Sequence, residues 1–194
     1  GSQMRELKRI LASLRSASEN GFSLEDVCRE IESGDELTKA VRQALLGWIF
    51  ELHSLRIFDR FDFPSWEQLF LPGKAVILDL SRVTGLRRKQ ILVTHLLRSI
   101  FHARERKRIP PLIVVLEEAH TFAPSESAIS KRIIEKIARE GRKFFLSLVV
   151  ISQRPVRLST TLLSQAGSTI VLRITNPYDL DHLKRSSESI TSQV

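Results

Sequence analysis

Four short apolar runs limit what this chain can become: AVILDLS (75–81), LIVVLEE (112–118), LSLVVIS (146–152) and STIVLRIT (168–175). Each is too short for a buried helix and rich in Val, Ile and Leu, as a strand covered on both faces must be. A basic amphipathic stretch from Arg87 to Arg108 separates the first two runs. A helical stretch from Ser127 to Glu140 separates the next two, and a shorter one near Thr160 to Gln165 precedes the last. Strands that alternate with helices fold as parallel β/α units with right-handed crossovers. The distal part of the chain is therefore predicted to be α/β, with four parallel strands.

The proximal part carries a different period. Leu7, Ile10, Leu11 and Leu14 share one helix face, and Ser23 is placed to cap a second helix, LEDVCREIES, that ends near Gly34. A third, from Asp35 to about His53, aligns Leu37, Val41, Leu45, Trp48, Ile49 and Leu52. Residues 5–63 read as a helical subdomain and residues 73–194 as the α/β part, with the boundary between Phe63-Pro64 and Pro72-Gly73. Residues 1–4 read as a tag remnant.

Composition narrows the partners. Thirty Lys and Arg against 22 Asp and Glu give a net charge of +8, which points to a polyanion, nucleic acid first. Cys28 is the single cysteine, so an intramolecular disulfide and a Cys-rich zinc site are both excluded, and a reducing cytoplasm is expected. No apolar run reaches membrane-spanning length, so no membrane partner is expected.

Open parallel sheets bind ligands beyond the carboxyl ends of their strands. Here those ends read Asp79-Leu80-Ser81, Glu117-Glu118 and Ser152-Gln153-Arg154. A strand end that merely meets water accounts for any one of them, but less easily for all three. A hydrophobic strand ending in two carboxylates is the signature of a Walker B element. Glu117 would hold Mg²⁺ through its waters, and Glu118 would polarise the water that attacks the γ-phosphate of ATP. At the next strand end Gln153 could bond both the γ-phosphate and that water, or simply cap the SQRP turn.

Arg139 and Arg142 lie at the end of a helix, where a cation favours the helix dipole; either could also reach a neighbouring subunit's phosphates as an arginine finger. Arg142, beyond Gly141, is better placed to project. Arg87, Arg88 and Lys89 open the basic stretch and are candidate DNA phosphate contacts, with a solvated helix face as the plainer reading. His53, His95, His102 and His182 show no metal-ligand spacing and read as structural; His120 could contact the site but has no assigned role.

The phosphate-binding loop G-x-x-x-x-G-K-[ST] occurs nowhere. Pro72-Gly73-Lys74-Ala75 comes nearest, but lacks the first glycine, the hydroxyl residue and a preceding strand. In P-loop proteins that loop precedes the Walker B strand, so the chain is expected to be the distal part of an ATPase.

Three segments resemble a known family: LIVVLEEAHTFAP (112–124), EGRKFFLSLVVISQRPVRLSTTLLSQ (140–165) and VLRITNPYDLDHLKRSSE (171–188) are similar to the HerA-type DNA-translocating ATPases of the FtsK/HerA group. The resemblance is close over residues 74–194, and it places the proximal helices as an insertion by position alone. It implies a RecA-like P-loop NTPase core, truncated here, in a homo-hexameric ring. That ring would use ATP and Mg²⁺ to move double-stranded DNA and would work with the nuclease NurA in processing DNA ends. It also implies that Glu117 and Glu118 are the Walker B pair, that Gln153 senses the γ-phosphate, and that Arg142, or else Arg139, acts across the subunit interface. Phe145 departs from the pattern, standing where a small residue, often Gly, is expected. Two other readings remain open. LEEAH also resembles the DEAH box, but SQRPVRLS is a poor match to the paired-arginine motif a DEAH-type helicase lobe needs. A non-catalytic basic module that binds DNA or a nuclease is the other.

Overall fold

The computed structural model describes residues 2–18, 21–34, 36–54, 65–173 and 176–186. The chain divides into two compact units, Gly1–Phe63 and Pro64–Val194.

The first unit is helical. α1 (Ser2–Ala17), α2 (Leu24–Ser33) and α3 (Lys39–His53) bury Ile10, Val27, Ile31, Leu37, Leu45 and Ile49, with Leu7, Leu11, Leu14, Val41 and Leu52 packed around them. Ser23 caps α2 as its sequence position requires. Its Oγ accepts from the Asp26 N–H at 3.1 Å, and the Asp26 carboxylate accepts in return from the Ser23 N–H at 2.8 Å. α3 begins at Lys39, later than its periodicity predicts, because the Thr38 hydroxyl accepts from the Val41 N–H and starts the helix there. Residues 55–64, which include the end of the expected helical subdomain and the start of the expected boundary at Phe63-Pro64 to Pro72-Gly73, lie outside the described residues.

The second unit is α/β. A single turn, α4 (Trp66–Leu69), precedes the long α5 (Leu86–Glu105). β1 (Leu112–Leu116) comes next, then α6 (Ala119–Phe122), α7 (Lys131–Glu140), a 3-10 turn over Gly141–Phe144, and β2 (Leu146–Val150). A 3-10 turn at Pro155–Arg157, α8 (Thr160–Gln165) and α9 (Pro177–Ser186) complete it. β1 and β2 pair in parallel, in register from Leu112 opposite Leu146 to Leu116 opposite Val150. The alternation of strand and helix thus yields the parallel pairing expected of it.

The four-stranded expectation is not met. Among the described residues the sheet has two strands, and residues 75–81 and 168–173 take irregular paths. Residues 174–175 of the fourth predicted strand lie outside the described residues. Ile77 is 90% exposed and Ile170 88% exposed. An apolar run becomes a strand only when a neighbour supplies the other half of its hydrogen-bond ladder, and none of the described strands does so for these.

β1 and β2 are also covered on one face only, not on both. Leu112, Val114, Leu116, Leu146, Leu148 and Val150 pack into a core with Val93, Leu97, Ile100 and Phe101 of α5 and Ile133, Ile134 and Ile137 of α7. On the other face Ile113 is 65% and Val115 57% exposed. The expectation of two-sided burial rests on composition, which records that a strand is apolar but not what lies against it.

Glycine and its absence shape the entry to β2. A Cβ at Gly141 would overlap the carbonyl oxygen of Leu146, so only glycine lets the chain turn this closely. Four residues on, Phe145 takes φ 55° and ψ 40°, the left-handed region that suits glycine best. Its departure from the family pattern is therefore a departure at a backbone-constrained position.

Candidate functional site

β1 and β2 run side by side and end together, which brings two of the predicted groups to one edge. Glu117 and Glu118 come directly after β1, while Ser152 and Gln153 come after β2, one residue beyond Ile151. The ladder continues past both strands: the Ile151 N–H donates to the Leu116 carbonyl at 3.0 Å, and the Ala119 N–H donates to the Ile151 carbonyl at 3.0 Å. These bonds hold the two strand ends in fixed relation.

Glu118 turns the chain. It sits at φ 49°, ψ 40°, a conformation that non-glycine residues seldom adopt. The first turn of α6 holds this strained residue in place, since both the N–H and the hydroxyl of Thr121 donate to the Glu118 carbonyl at 2.8 Å. The buried Gln90 of α5 donates through Nε2 to the Thr121 carbonyl at 2.8 Å and so ties α6 to α5. A left-handed residue is a common device where a site needs a side chain aimed off the strand axis. Glu117, Glu118 and Gln153 are all exposed at this edge.

Two residues without an assigned role complete the edge. Nδ1 of His120 lies 3.1 Å from Ser152 Oγ and 3.3 Å from Glu118 Oε2, and the imidazole is only 12% exposed. Ser152 Oγ also accepts from the Arg154 N–H at 3.1 Å. Further along, the buried Asp179 of α9 accepts from the Val156 N–H at 3.1 Å and pins the turn after Gln153. The sequence signal for His120 is its place three residues after Glu117, which puts it back over the strand end once α6 forms.

The donor set suits Mg²⁺ only in part. Two exposed carboxylates leave room for waters and phosphate oxygens, as an ion that keeps most of its water requires. Among the described residues no group of three or more His, Cys, Asp or Glu forms a cage for a metal.

Other predicted residues lie elsewhere. Arg139 lies in the last turn of α7 and Arg142 in the 3-10 turn before β2, and both are exposed toward the amino edge of the sheet. Five residues of strand, roughly 17 Å, separate that edge from the carboxylates. Neither arginine can serve its own chain's strand-end site. Asp79 is expected at a third strand end, but no strand forms there. Its carboxylate instead accepts from the Ser81 N–H at 2.8 Å and the Ser81 hydroxyl at 3.0 Å, bonds that hold it below the usual carboxylate range.

Arg87, Arg88 and Lys89 occupy the first turn of α5, whose N-cap, Gly85, offers no side-chain cap. Three cations at the positive end of a helix oppose its dipole, so local helix stability does not account for them. Arg104, counted in the same basic run, is buried and donates to the carbonyls of Phe144 and Ile109; it is a structural residue, not part of a basic face.

Parallel strands whose carboxyl ends carry an acidic pair beside a hydroxyl and an amide define an α/β protein with its candidate ligand site at the strand-end edge. No family model matches the chain. It is 29% identical, over 97% of its own length and 40% of the relative's, to the DNA double-strand break repair helicase HerA of Sulfolobus acidocaldarius. It is 38% identical to the HerA of Saccharolobus solfataricus over 53% of this chain and 22% of the relative. To the HerA of Pyrococcus furiosus it is 47% identical over 43% of this chain and 15% of the relative. The chain is thus similar to proteins named as HerA helicases, and it spans less than half the length of each. Among the described residues no helix is long and apolar enough to cross a membrane.

Proposed function

We propose that this chain forms the distal part of an ATP-driven double-stranded DNA translocase or helicase, built on a RecA-like core and acting in DNA end processing and recombinational repair. The observation that carries the reading is the joint strand-end edge, where Glu117 and Glu118 of one strand meet Ser152 and Gln153 of its parallel neighbour. The relatives named DNA double-strand break repair helicase support the DNA substrate and the repair setting.

In this reading each residue has a distinct task. Glu117 would hold Mg²⁺ through its waters, and the ion, when bound, would neutralise charge on the phosphate oxygens. Glu118 accepts a hydrogen bond from the attacking water and orients it. Gln153 bonds the γ-phosphate and reports its presence. Arg142, with Arg139 as second choice, reaches the site of an adjacent subunit, and its place at the opposite sheet edge leaves that as the geometry open to it. Such a partnership requires an adjacent subunit, which the proposal takes to be a neighbour in a homo-hexameric ring, with NurA as the nuclease partner, in the cytoplasm.

The sequence holds no phosphate-binding loop, so the 194-residue chain by itself is expected to turn over ATP poorly or not at all. That same fact favours one rival: a basic module that binds DNA or a nuclease without hydrolysis. The deciding experiment measures DNA-stimulated ATP turnover in the longest natural form of the protein that carries this sequence, beside its Glu118→Gln variant and the 194-residue chain. Turnover only in the wild-type long form supports the proposal. Equal turnover in the variant means that the site is misassigned, and no turnover in any sample favours the binding module.

A further inference from the structure

The proposed chemistry gives His120 no part, yet the structure spends its imidazole on the strand-end edge. The ring is nearly buried, and a single nitrogen, Nδ1, faces two partners: Ser152 Oγ at 3.1 Å and Glu118 Oε2 at 3.3 Å. One ring nitrogen cannot serve both equally. A bare Nδ1 accepts the Ser152 hydroxyl hydrogen and offers nothing to the carboxylate. A protonated Nδ1 donates, and a carboxylate is a stronger acceptor than a hydroxyl. Ser152 Oγ is already engaged as acceptor by the Arg154 N–H, which leaves its own hydrogen free to turn elsewhere.

We infer that His120 is a positioning residue: its Nδ1–H holds the Glu118 carboxylate at the strand end, and Ser152 competes for the same nitrogen. The inference rests on Glu118 being the carboxylate that orients water. Backbone geometry supports it independently. Glu118 is in the left-handed region, and its peptide unit is fixed by Thr121 at the carbonyl and by the Ile151 carbonyl at the Ala119 N–H. None of those bonds reaches the side chain. His120 Nδ1, hydrogen-bonded to Ser152 Oγ, lies 3.3 Å from its Oε2, so a small turn of the ring toward the carboxylate would restrain it, and Ser152 makes that hold depend on where the end of β2 lies. Because Gln153 is the next residue, a shift of that segment on meeting a phosphate would change the competition for Nδ1 and with it the freedom of Glu118.

The test exploits amide geometry. The Nδ2 of asparagine stands as far from Cβ as Nδ1 of histidine, whereas the Nε2 of glutamine matches the other ring nitrogen. In the longest natural form carrying this sequence, His120→Ala and His120→Gln are expected to lower kcat for DNA-stimulated ATP hydrolysis by about tenfold to a hundredfold, the scale set by misplacing a reacting group by about 1 Å. KM for ATP should stay within about twofold, because uniform binding is untouched. His120→Asn should recover most of the loss, and adding His120→Ala to Glu118→Gln should cost nothing further.

If Glu118→Gln abolishes turnover while His120→Asn is as slow as His120→Ala, or while all three His120 variants match wild type, this inference falls alone. If Glu118→Gln turns over normally, the functional reading falls and this inference with it. Ring ¹⁵N spectra of His120 in the unmodified chain need no activity and no variant that fails to fold. A protonated Nδ1 whose signal then shifts in Glu118→Gln supports the inference; a bare Nδ1, or a protonated one indifferent to that change, overturns it.

Discussion

Nε of Arg104 donates to the carbonyl oxygen of Phe144 at 2.8 Å, and a second guanidinium nitrogen donates to the carbonyl of Ile109. Ile109 lies just before β1 and Phe144 just before β2, so one side chain from the last turn of α5 anchors both strands at their start. Phe144 adds an edge-on contact with Phe101, ring centres 5.3 Å apart, across the same seam. The strand ends that carry the candidate site inherit their registry from this anchor at the far edge.

Arg104→Ala would leave two buried carbonyls without their donor and remove the packing of the stem. A loss of about 3 kcal/mol is expected, on the scale of buried hydrogen bonds to a charged group. Arg104→Lys should recover less than half, since one ammonium cannot reproduce the fork. Urea unfolding midpoints at unchanged slope measure both; a loss below about 0.5 kcal/mol for alanine would contradict the assignment.

Gly141 and Phe145 bracket the turn into β2 and should respond in opposite directions. Gly141→Ala forces a methyl group against the Leu146 carbonyl and is expected to destabilise by about 2 kcal/mol. Phe145→Gly relieves a left-handed phenylalanine that is 70% exposed. Relief of about 1–2 kcal/mol, offset by the entropy glycine adds to the unfolded chain, leaves a small gain of up to about 1 kcal/mol. Melting temperatures of the two variants and the wild type decide it.

The Asp26 carboxyl is held below its ordinary value of 3.8, first by the Ser23 N–H and next by the Ser23 hydroxyl. A carboxyl depressed in the folded state contributes stability above its unfolded value and loses it as pH falls through the folded value. Stability of the helical unit should therefore decline below about pH 3.8 in the wild type, and less so in Asp26→Asn. Helix content measured from pH 6 to pH 2, both roughly chosen limits for acid titration, shows whether the two profiles converge at the acid end.

If Arg87, Arg88 and Lys89 meet DNA phosphates, changing all three to Gln removes up to three released counterions. The slope of log affinity against log salt should become shallower by about 2 to 3 for duplex DNA. Fluorescence anisotropy on duplexes of unrelated sequence at several salt concentrations reads this directly. An unchanged slope would place these cations outside the interface.

Much of the candidate site is readable from the sequence. The paired carboxylates after LIVVL and the amide after LSLVVIS are visible as polar ends of apolar runs, and parallel pairing is expected from the helix between them. Arg104 cannot be separated from its basic neighbours in this way, because charge is visible in sequence and burial is not. Nor can Asp79 be told from a true strand end, since its run is as apolar as the two that pair.

Local propensity, capping and period act over a few residues, and that is why the cap at Ser23, the end of α7 at Glu140 and the strand β1 were determined by the sequence alone, while the start of α7 falls at Lys131 and not at Ser127. What required the tertiary structure are relations between distant segments. Examples are the meeting of His120 with Ser152, the anchoring of Phe144 by Arg104, and the placing of Arg142 at the sheet edge opposite Glu117 and Glu118. Each depends on which strand lies beside which and in what register, and no spacing along one strand encodes the position of its neighbour.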